Sequence, residues 1–191
     1  KLYKSSQHKI WLATAKWGLG EWTNGSTPFF NYFINNPSSG ETVSNDNIFD
    51  IKEDAKRNLW VSTYGGGLHY FNTTTKKFVH IPVTNNLLEG IETDDAGNVW
   101  MISNGDIHKY SPLLKTYSTF QLPDLEKSGG VKGYIFKSAD GSMYAAGNNY
   151  FIRFHPAKTK EERKQPNVYF TDFKVFNQSF NQLLYNDKII L

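Results

Sequence analysis

Short segments in which apolar and polar residues alternate, separated by turns containing glycine, asparagine or aspartate, recur along the chain. Alternation with period two predicts β-strands, and no competing helical period is present outside the short polar stretch 157–164. Inner strands that end on an acid are predicted at 48–54, 88–95 and 133–140. Second strands are predicted at 59–63, 99–103 and 143–146, with an earlier copy at 10–14 that is expected to lack an inner strand. The chain is therefore an internal repeat.

A large ring marks the second strand of every copy, at intervals of 49, 40 and 44 residues between positions 11, 60, 100 and 144. The marker rings are Trp11, Trp60, Trp100 and Tyr144. Third strands are predicted at 19–22, 68–71, 107–110 and 151–154, and fourth strands at 29–34, 77–81 and 116–120. We expect the marker rings to pack between neighbouring repeats, because rings of this size are mainly core residues.

Four short strands in each repeat are typical of a β-propeller blade, and a flat sandwich would not repeat in register in this way. The predicted fold is all-β. About three to four blades are too few to close a ring alone, which predicts the C-terminal portion of a larger propeller that pairs with the rest of its own ring. The predicted divisions are blades over 1–156, a linker over 157–165, and the start of an immunoglobulin-like sandwich over 166–191.

Composition excludes several classes of protein. The net charge of +3, from 21 Lys and Arg against 18 Asp and Glu, is too small to predict nucleic-acid binding without a basic patch. No apolar run reaches the length of a membrane span, so this segment is not expected to cross a membrane. The chain has no cysteine, which excludes disulfides and thiolate zinc sites.

Residues that could suggest catalysis are better explained by the repeat. The acids Asp54, Asp95 and Asp140 precede turns in successive copies, and turn capping by aspartate explains all three. His69 and His108 occupy equivalent third-strand positions on different blades, and no His-x-x-x-His spacing occurs. We therefore predict no catalytic residues, no metal site and no cofactor, and an enzyme is the weakest hypothesis.

Aromatic and amide residues outside the repeat positions suggest a binding face. The connections after the second strands share one face of a propeller with the long loops at 35–46, 83–87 and 122–132. Rings beside amides suit a sugar, which offers both apolar faces and hydroxyl groups. The alternative interpretation is that these are ordinary residues of an exposed rim. The predicted ligand-binding residues are Trp17, Tyr64, Asn104, Asp106, Asn148 and Tyr150.

The unit at 47–68 resembles the repeat of the two-component regulator propeller family. Its inner strand ends on Glu53-Asp54, and after a turn come Leu59-Trp60, then Thr63 and Gly66-Gly67-Leu68, in the family's order. The next copies depart from the pattern, with Ser103 for the threonine, a single Gly105, and Tyr144 for the tryptophan. Residues 166–180 resemble the opening of the three-Tyr domain that follows such propellers.

The resemblance implies the periplasmic sensor region of an inner-membrane histidine kinase, often of the hybrid type, in Bacteroidetes. It implies detection of a glycan fragment and transmission to a kinase homodimer, which then starts a phosphorelay. None of the kinase chemistry lies in these residues. The alternative function is a propeller scaffold that binds protein partners without a small-molecule ligand.

Overall fold

The fold is described from a computed structural model at residues 1–23, 29–120 and 129–159, together with the backbone of four short strands between 174 and 189. The chain divides into two compact units, Lys1–Glu161 and Glu162–Leu191. The first unit holds four antiparallel sheets in chain order, and each sheet is made of consecutive strands. We refer to these sheets as blades 1 to 4.

Every blade is an antiparallel meander. Blade 1 contains β1 (Leu2–Lys4), β2 (Ile10–Ala13), β3 (Leu19–Thr23) and β4 (Phe29–Phe33). Blade 2 contains β5 (Ile48–Glu53), β6 (Leu59–Thr63), β7 (Gly67–Asn72) and β8 (Lys77–Ile81). Blade 3 contains β9 (Ile91–Thr93), β10 (Val99–Ser103), β11 (Asp106–Ser111) and β12 (Thr116–Phe120). Blade 4 contains β13 (Ile135–Lys137), β14 (Met143–Ala146) and β15 (Phe151–Phe154).

The first copy has an inner strand, which the sequence did not predict. Strand β1 pairs with β2, with Tyr3 opposite Trp11. Its three residues are too few to show an alternation, so the strand is defined by its partners. The Tyr3 hydroxyl accepts a hydrogen bond from the backbone N–H of Glu53 at 3.0 Å, which joins β1 to the inner strand of blade 2.

The turn between the first and second strands is the same in all four blades. A backbone hydrogen bond closes each turn, as from Asp54 N–H to the carbonyl of Asn58 at 2.9 Å, and the fourth turn residue has a positive φ. Short polar side chains suit the first position because their oxygen accepts turn N–H groups. That position is occupied by Ser5, Asp54, Asp94 and Ser138.

Two of the three predicted capping acids are therefore displaced. In blade 3 the capping residue is Asp94, whose carboxylate accepts hydrogen bonds from the backbone N–H groups of Ala96 and Asn98, while Asp95 is exposed and pairs with Lys137 at 2.9 Å. In blade 4, Asp140 still accepts the N–H of Ser142 but lies two residues into the turn. The hydroxyl of Ser138 first, and then the N–H of Ser142, lower the pKa of Asp140.

The core lies between blades and is built around the three marker tryptophans, whereas Tyr144 is half-buried and its ring contacts Phe151 in its own blade. Each of the three tryptophans contacts an aromatic ring on the third strand of the next blade. The distances between ring centres are 5.6 Å for Trp11 and Phe71, 6.1 Å for Trp60 and Tyr110, and 5.0 Å for Trp100 and Phe154. The predicted packing of these tryptophans between repeats is confirmed. Every residue of β6 and β10 is buried because both faces are covered, whereas β2 and β14 alternate since they belong to the end blades.

Beyond β15 a short 3-10 helix spans Pro156–Lys158. The second unit contains two two-stranded ladders, Lys174–Val175 with Gln178–Ser179, and Leu184–Tyr185 with Lys188–Ile189. The predicted immunoglobulin-like domain over 166–191 otherwise lies outside the described residues, and the three domain bounds stay predictions. No helix in the described part of the chain has the length and apolar character to cross a membrane.

Candidate ligand-binding face

The turns between second and third strands form the candidate site, and we call their shared side of the blades the turn face. In blade 2 the Thr63 hydroxyl donates to the carbonyl of Gly67 at 2.9 Å and accepts the N–H of Gly66 at 2.9 Å. In blade 1, Thr14 makes the same two bonds, to the carbonyl of Gly18 and from the N–H of Trp17. The repeated threonine therefore shapes the turn, which leaves the ring at its tip free to face outward.

Each turn is joined to the loop that leads into the next blade. The N–H of Gly18 donates to the carbonyl of Asp46 at 3.1 Å, and the N–H of Tyr64 donates to the carbonyl of the adjacent Asn47 at 2.8 Å. One loop therefore connects the turns that carry Trp17 and Tyr64. Because backbone groups make both contacts, the spacing of the two turns is set by the fold.

The same joints continue along the array. The N–H of Gly65 donates to the carbonyl of Asn86 at 2.9 Å, and the Ser103 hydroxyl donates to the carbonyl of Leu87 at 2.7 Å, so loop 83–87 bridges blades 2 and 3. The N–H of Val131 donates to the carbonyl of Gly105 at 2.9 Å, which attaches the third turn to the loop entering blade 4. The N–H of Lys132 in the same loop donates to the carbonyl of Ala146 at 2.8 Å, so the fourth turn is joined as well and the four turns form one continuous face.

The structure places all six predicted residues on this face, but in two different environments. Trp17 and Tyr64 are exposed, at 65% and 46%, and present rings to solvent. Asn104 and Asn148 are exposed, and the loop at 129–131 lies against Gly105, the neighbour of Asn104, and against Asn148. Asp106 is half-buried at the start of β11. The rings and the amides therefore belong to different pairs of blades along one face.

Tyr150 is largely a packing residue. Its ring packs so closely on Gly147 that a Cβ there would lie 2.3 Å from the ring, and its hydroxyl donates to the carbonyl of Gly130 at 2.8 Å. It also lies against the core cluster between blades 3 and 4. The glycine at 147 is what allows the ring to fold back, and this contact cannot be recognised from spacing alone.

We expect Tyr150→Phe to lower the free energy of unfolding by about 1 kcal/mol, because the Gly130 carbonyl loses its donor while the ring packing is kept. Urea denaturation followed by tryptophan fluorescence measures the change. The matched control is Tyr64→Phe, which removes the hydroxyl of an exposed tyrosine and should change stability by less than about 0.5 kcal/mol. Equal stability of the two variants would show that the hydroxyl bond from Tyr150 to Gly130 does not stabilise the fold.

A buried histidine supports the third turn. One nitrogen of His108 lies 3.2 Å from the carbonyl of Ser103, and the other lies 3.0 Å from the Thr119 hydroxyl. A carbonyl only accepts, so Nε2 carries the proton and Nδ1 accepts from the threonine. Burial lowers the pKa of His108, which keeps the ring neutral. The histidine is thus a strut beneath Asn104 and Asp106 rather than a general base on the face.

Two residues of the face escaped the sequence analysis. Asn45 lies directly over the glycine run, since a Cβ at Gly66 would be 2.9 Å from its Cβ, and its side chain accepts the N–H of Asn47 at 2.8 Å. Asp46 accepts the N–H of Asn35 at 2.6 Å, which closes the loop at 35–46. An asparagine–aspartate pair just before an inner strand is the sequence signal by which these two residues could have been identified.

Within the described residues, no three His, Cys, Asp or Glu side chains converge to hold a metal ion.

Comparison with known proteins identifies one repeat. Residues 42–65 match the family model described as the two component regulator propeller, and this stretch contains the end of the loop entering blade 2, then β5 and β6. It overlaps the unit at 47–68 from which the resemblance was drawn, so that part of the prediction is confirmed. A search of curated proteins found no match.

Solved structures with the same fold include three of different function. The extracellular domain assigned to the one component system BT4673 of B. thetaiotaomicron has a TM-score of 0.51 and 16% identity over 84% of this chain. A streptogramin B lyase has a TM-score of 0.63 and 15% identity over 82% of this chain. The WD40 β-propeller domain of Doa1 has a TM-score of 0.62 and 13% identity over 80% of this chain. The chain covers 29%, 51% and 49% of these proteins, respectively, and therefore spans less than two thirds of each.

At this identity the likeness shows the fold alone, and it confirms the predicted all-β propeller. An extracellular domain of a one component system and a lyase share the architecture, so the fold by itself does not decide the function. The chain is thus a run of β-propeller blades in which residues 42–65 match the two component regulator propeller family.

Proposed function

We propose that this chain is the ligand-sensing part of an extracytoplasmic two-component sensor, and that it binds a glycan fragment on the turn face without cleaving it. The observation that carries the proposal is the backbone joint at Asp46 and Asn47, which holds the turns of Trp17 and Tyr64 together with both rings exposed. The match at residues 42–65 and the fold shared with an extracellular domain of B. thetaiotaomicron support the sensor assignment.

The chemistry of the face favours a sugar. A pyranose offers an apolar face that stacks on an aromatic ring, and hydroxyls that pair with amides and carboxylates. Trp17 and Tyr64 supply the rings, while Asn104, Asp106 and Asn148 supply polar groups further along. An extended oligosaccharide suits this division better than a compact ligand, because rings and amides lie on different pairs of blades.

Signalling requires that the ligand bind one arrangement of the receptor better than another. The loops that join turns of adjacent blades are suited to this role, since a ligand that spans two blades contacts both sides of each joint. We propose that occupancy of the turn face biases the arrangement of a receptor homodimer located at the periplasmic side of the inner membrane. Differential affinity of about tenfold corresponds to about 1.4 kcal/mol of coupling.

The test is a calorimetric titration of the chain with short arabino-, galacto-, xylo- and cello-oligosaccharides. We expect one class to bind, and Trp17→Ala and Tyr64→Ala each to weaken its binding by about tenfold, the scale of one aromatic contact. The matched control is Phe29→Ala, which removes an exposed ring at the start of β4, opposite Thr23 and at the strand ends away from the turn face, and should leave affinity unchanged. Chromatography of the recovered sugar checks that it is intact.

Full affinity in both turn-face variants would move the site elsewhere, and cleavage of the sugar would replace the sensor with an enzyme. Failure of every oligosaccharide together with a stable protein complex would favour the scaffold alternative.

A further inference from the structure

A cleft lies between blades 2 and 3 at the strand ends opposite the turn face. It encloses about 410 Å³, and its walls come from the first turns of both blades and from the third and fourth strands. We call it the junction cleft. Trp60 and Tyr110 are almost fully buried and form its floor, while half-buried Tyr70 and exposed Val79 stand at its sides. The residues that the argument uses are Asp54, Lys56, Trp60, Tyr70, Val79 and Tyr110.

The neighbouring junctions show what occupies this position. Between blades 1 and 2, the Lys76 ammonium lies 5.2 Å from the centre of the Trp11 ring and pairs with Glu21 at 2.6 Å. Between blades 3 and 4, the Lys109 ammonium lies 5.7 Å from the Trp100 ring. A cation therefore lies over the marker tryptophan at both junctions, which is the attraction expected between an ammonium and a ring face.

The junction between blades 2 and 3 differs at both positions that supply these cations. On the neighbouring third strand, Glu21 lies opposite Trp11 and Lys109 lies opposite Trp100. The residue opposite Trp60 is Tyr70. Lys115, the counterpart of Lys76 at the same positive-φ turn position, is exposed. In the described part of the chain, lysine–ring contacts occur at Trp11 and Trp100 but not at Trp60.

The rings around the open cleft are arranged as a cage. The centre of the Trp60 ring lies 4.7 Å from that of Tyr70 and 6.1 Å from that of Tyr110, and the planes of the two tyrosines are inclined to the Trp60 plane by 54° and 68°. The Tyr70 hydroxyl donates to Asp54 at 2.7 Å and accepts from Asn58 at 2.8 Å, so its ring is held in place. Burial and the Asp54 carboxylate raise the pKa of Tyr70 to about 12, and the hydroxyl stays protonated.

The cage lacks what a primary ammonium needs. Lys76 finds a carboxylate in Glu21, but the equivalent place beside Trp60 holds a tyrosine, and the Asp54 oxygens already accept from Lys56 N–H, Asn58 N–H and Tyr70. A methylated ammonium needs no hydrogen-bond acceptor, and aromatic cages recognise it through the ring faces. The Asp54 carboxylate still contributes negative charge, which the exposed Lys56 at the rim partly offsets.

We propose that the junction cleft binds a quaternary ammonium group of a small organic cation, independently of the turn face. The site lies at the other ends of the strands, so a glycan on the turn face and a cation in the cleft would occupy the chain together. The inference rests on the contrast between this junction, where no lysine lies over the marker tryptophan in the described residues, and the two sister junctions, where one does.

The test titrates the 191-residue chain with choline chloride and with 3,3-dimethylbutan-1-ol, its neutral isostere, using ligand-observed NMR and tryptophan fluorescence. We expect choline to bind about tenfold more tightly than the alcohol, because only the cation gains from the ring faces. Equal affinity of the two would make this an ordinary apolar cleft, and no binding of either would likewise overturn the proposal.

Variants locate the site. Tyr70→Leu keeps an apolar wall but removes the ring and should weaken choline binding by about tenfold, while Tyr70→Phe keeps the ring and should bind within about twofold of the parent. Lys56→Gln should strengthen binding, since it removes the competing charge. Trp17→Ala alters only the turn face and should have no effect, so failure of the glycan site leaves this result readable. Unchanged affinity in Tyr70→Leu would refute the location, with thermal unfolding confirming that each variant is folded.

Discussion

Trp100→Ala is expected to lower the free energy of unfolding by about 3–5 kcal/mol, the range for deleting a large buried ring. Trp100 is 1% exposed, and the centre of its ring lies 5.0 Å from the ring centres of Phe120 in its own blade and Phe154 in the next. Its indole N–H also donates to the buried carboxylate of Asp94 at 2.8 Å, so truncation removes a donor along with the packing. Urea denaturation followed by circular dichroism measures the loss.

The matched control is Trp17→Ala, which deletes the same side chain where it is 65% exposed and should change stability by less than about 0.5 kcal/mol. Trp100→Phe separates the two contributions, because it retains a ring between blades 3 and 4 but leaves Asp94 without the indole donor. A loss below about 1 kcal/mol in Trp100→Ala would mean that the blades do not depend on each other for stability.

Lowering the pH from about 7 to about 4 should reduce the free energy of unfolding by about 3 kcal/mol because of the ionisation of one residue, His69. His69 is fully buried on β7, and its Nε2 accepts the backbone N–H of Ser44 at 3.1 Å. Burial first, and then the neighbouring His80, lower the pKa of His69 to about 4, although the Gly67 carbonyl opposes the shift. As the pH falls, His69 takes up a proton near pH 6.5 in the unfolded chain but only near pH 4 in the folded chain. The stabilisation that the neutral ring provides is therefore fully present above pH 6.5 and is lost as the pH falls towards 4.

The measurement is a series of urea denaturations between pH 7 and 4 on the parent chain and on His69→Gln. The glutamine does not titrate, so the parent should lose about 3 kcal/mol more than the variant over this range. Carboxylates contribute equally to both proteins and cancel in the difference. Parallel curves for the two proteins would show that His69 is not held neutral by the fold.

The hydrogen bonds of the folded chain explain why a neutral, buried histidine is tolerated at position 69. The equivalent position in blade 3 is His108, which is also buried and has a lowered pKa, and each ring reaches the loop or strand end beneath a turn of the face. These imidazoles act as neutral hydrogen-bonding struts. The turn face should therefore keep its shape best above pH 6.5, and loss of ligand binding in acid would follow loss of these struts.

The propeller fold was predictable because each blade is a local meander. Period-two alternation, a ring on the second strand and a turn every few residues are written into adjacent positions, and their recurrence needs no knowledge of distant contacts. Where a segment was too short for a period, as in β1, the sequence failed. The first inner strand exists because Tyr3 pairs across from Trp11 and holds the N–H of Glu53 in the next blade.

The candidate site was predictable only in part. Placing Trp17 and Tyr64 on one face follows from strand topology, and the structure agrees. The role of Tyr150 did not follow, since its packing on Gly147 and its bond to Gly130 depend on how a loop returns to the blade. The choice of Asp94 over Asp95 as the capping acid likewise depends on the register of β9 against β10.

By itself the sequence determined the strands, their grouping into repeats, the buried marker rings and the match to a regulator propeller repeat, all of which are local in the chain. Only the tertiary structure decided which loop joins two turns into one face, and at which junctions a lysine lies over the marker tryptophan. These features arise from contacts between blades some 40 residues apart in the sequence, as in the bond from Lys52 to Glu92. Such contacts depend on where side chains meet in space, and the order of residues within one repeat does not record that.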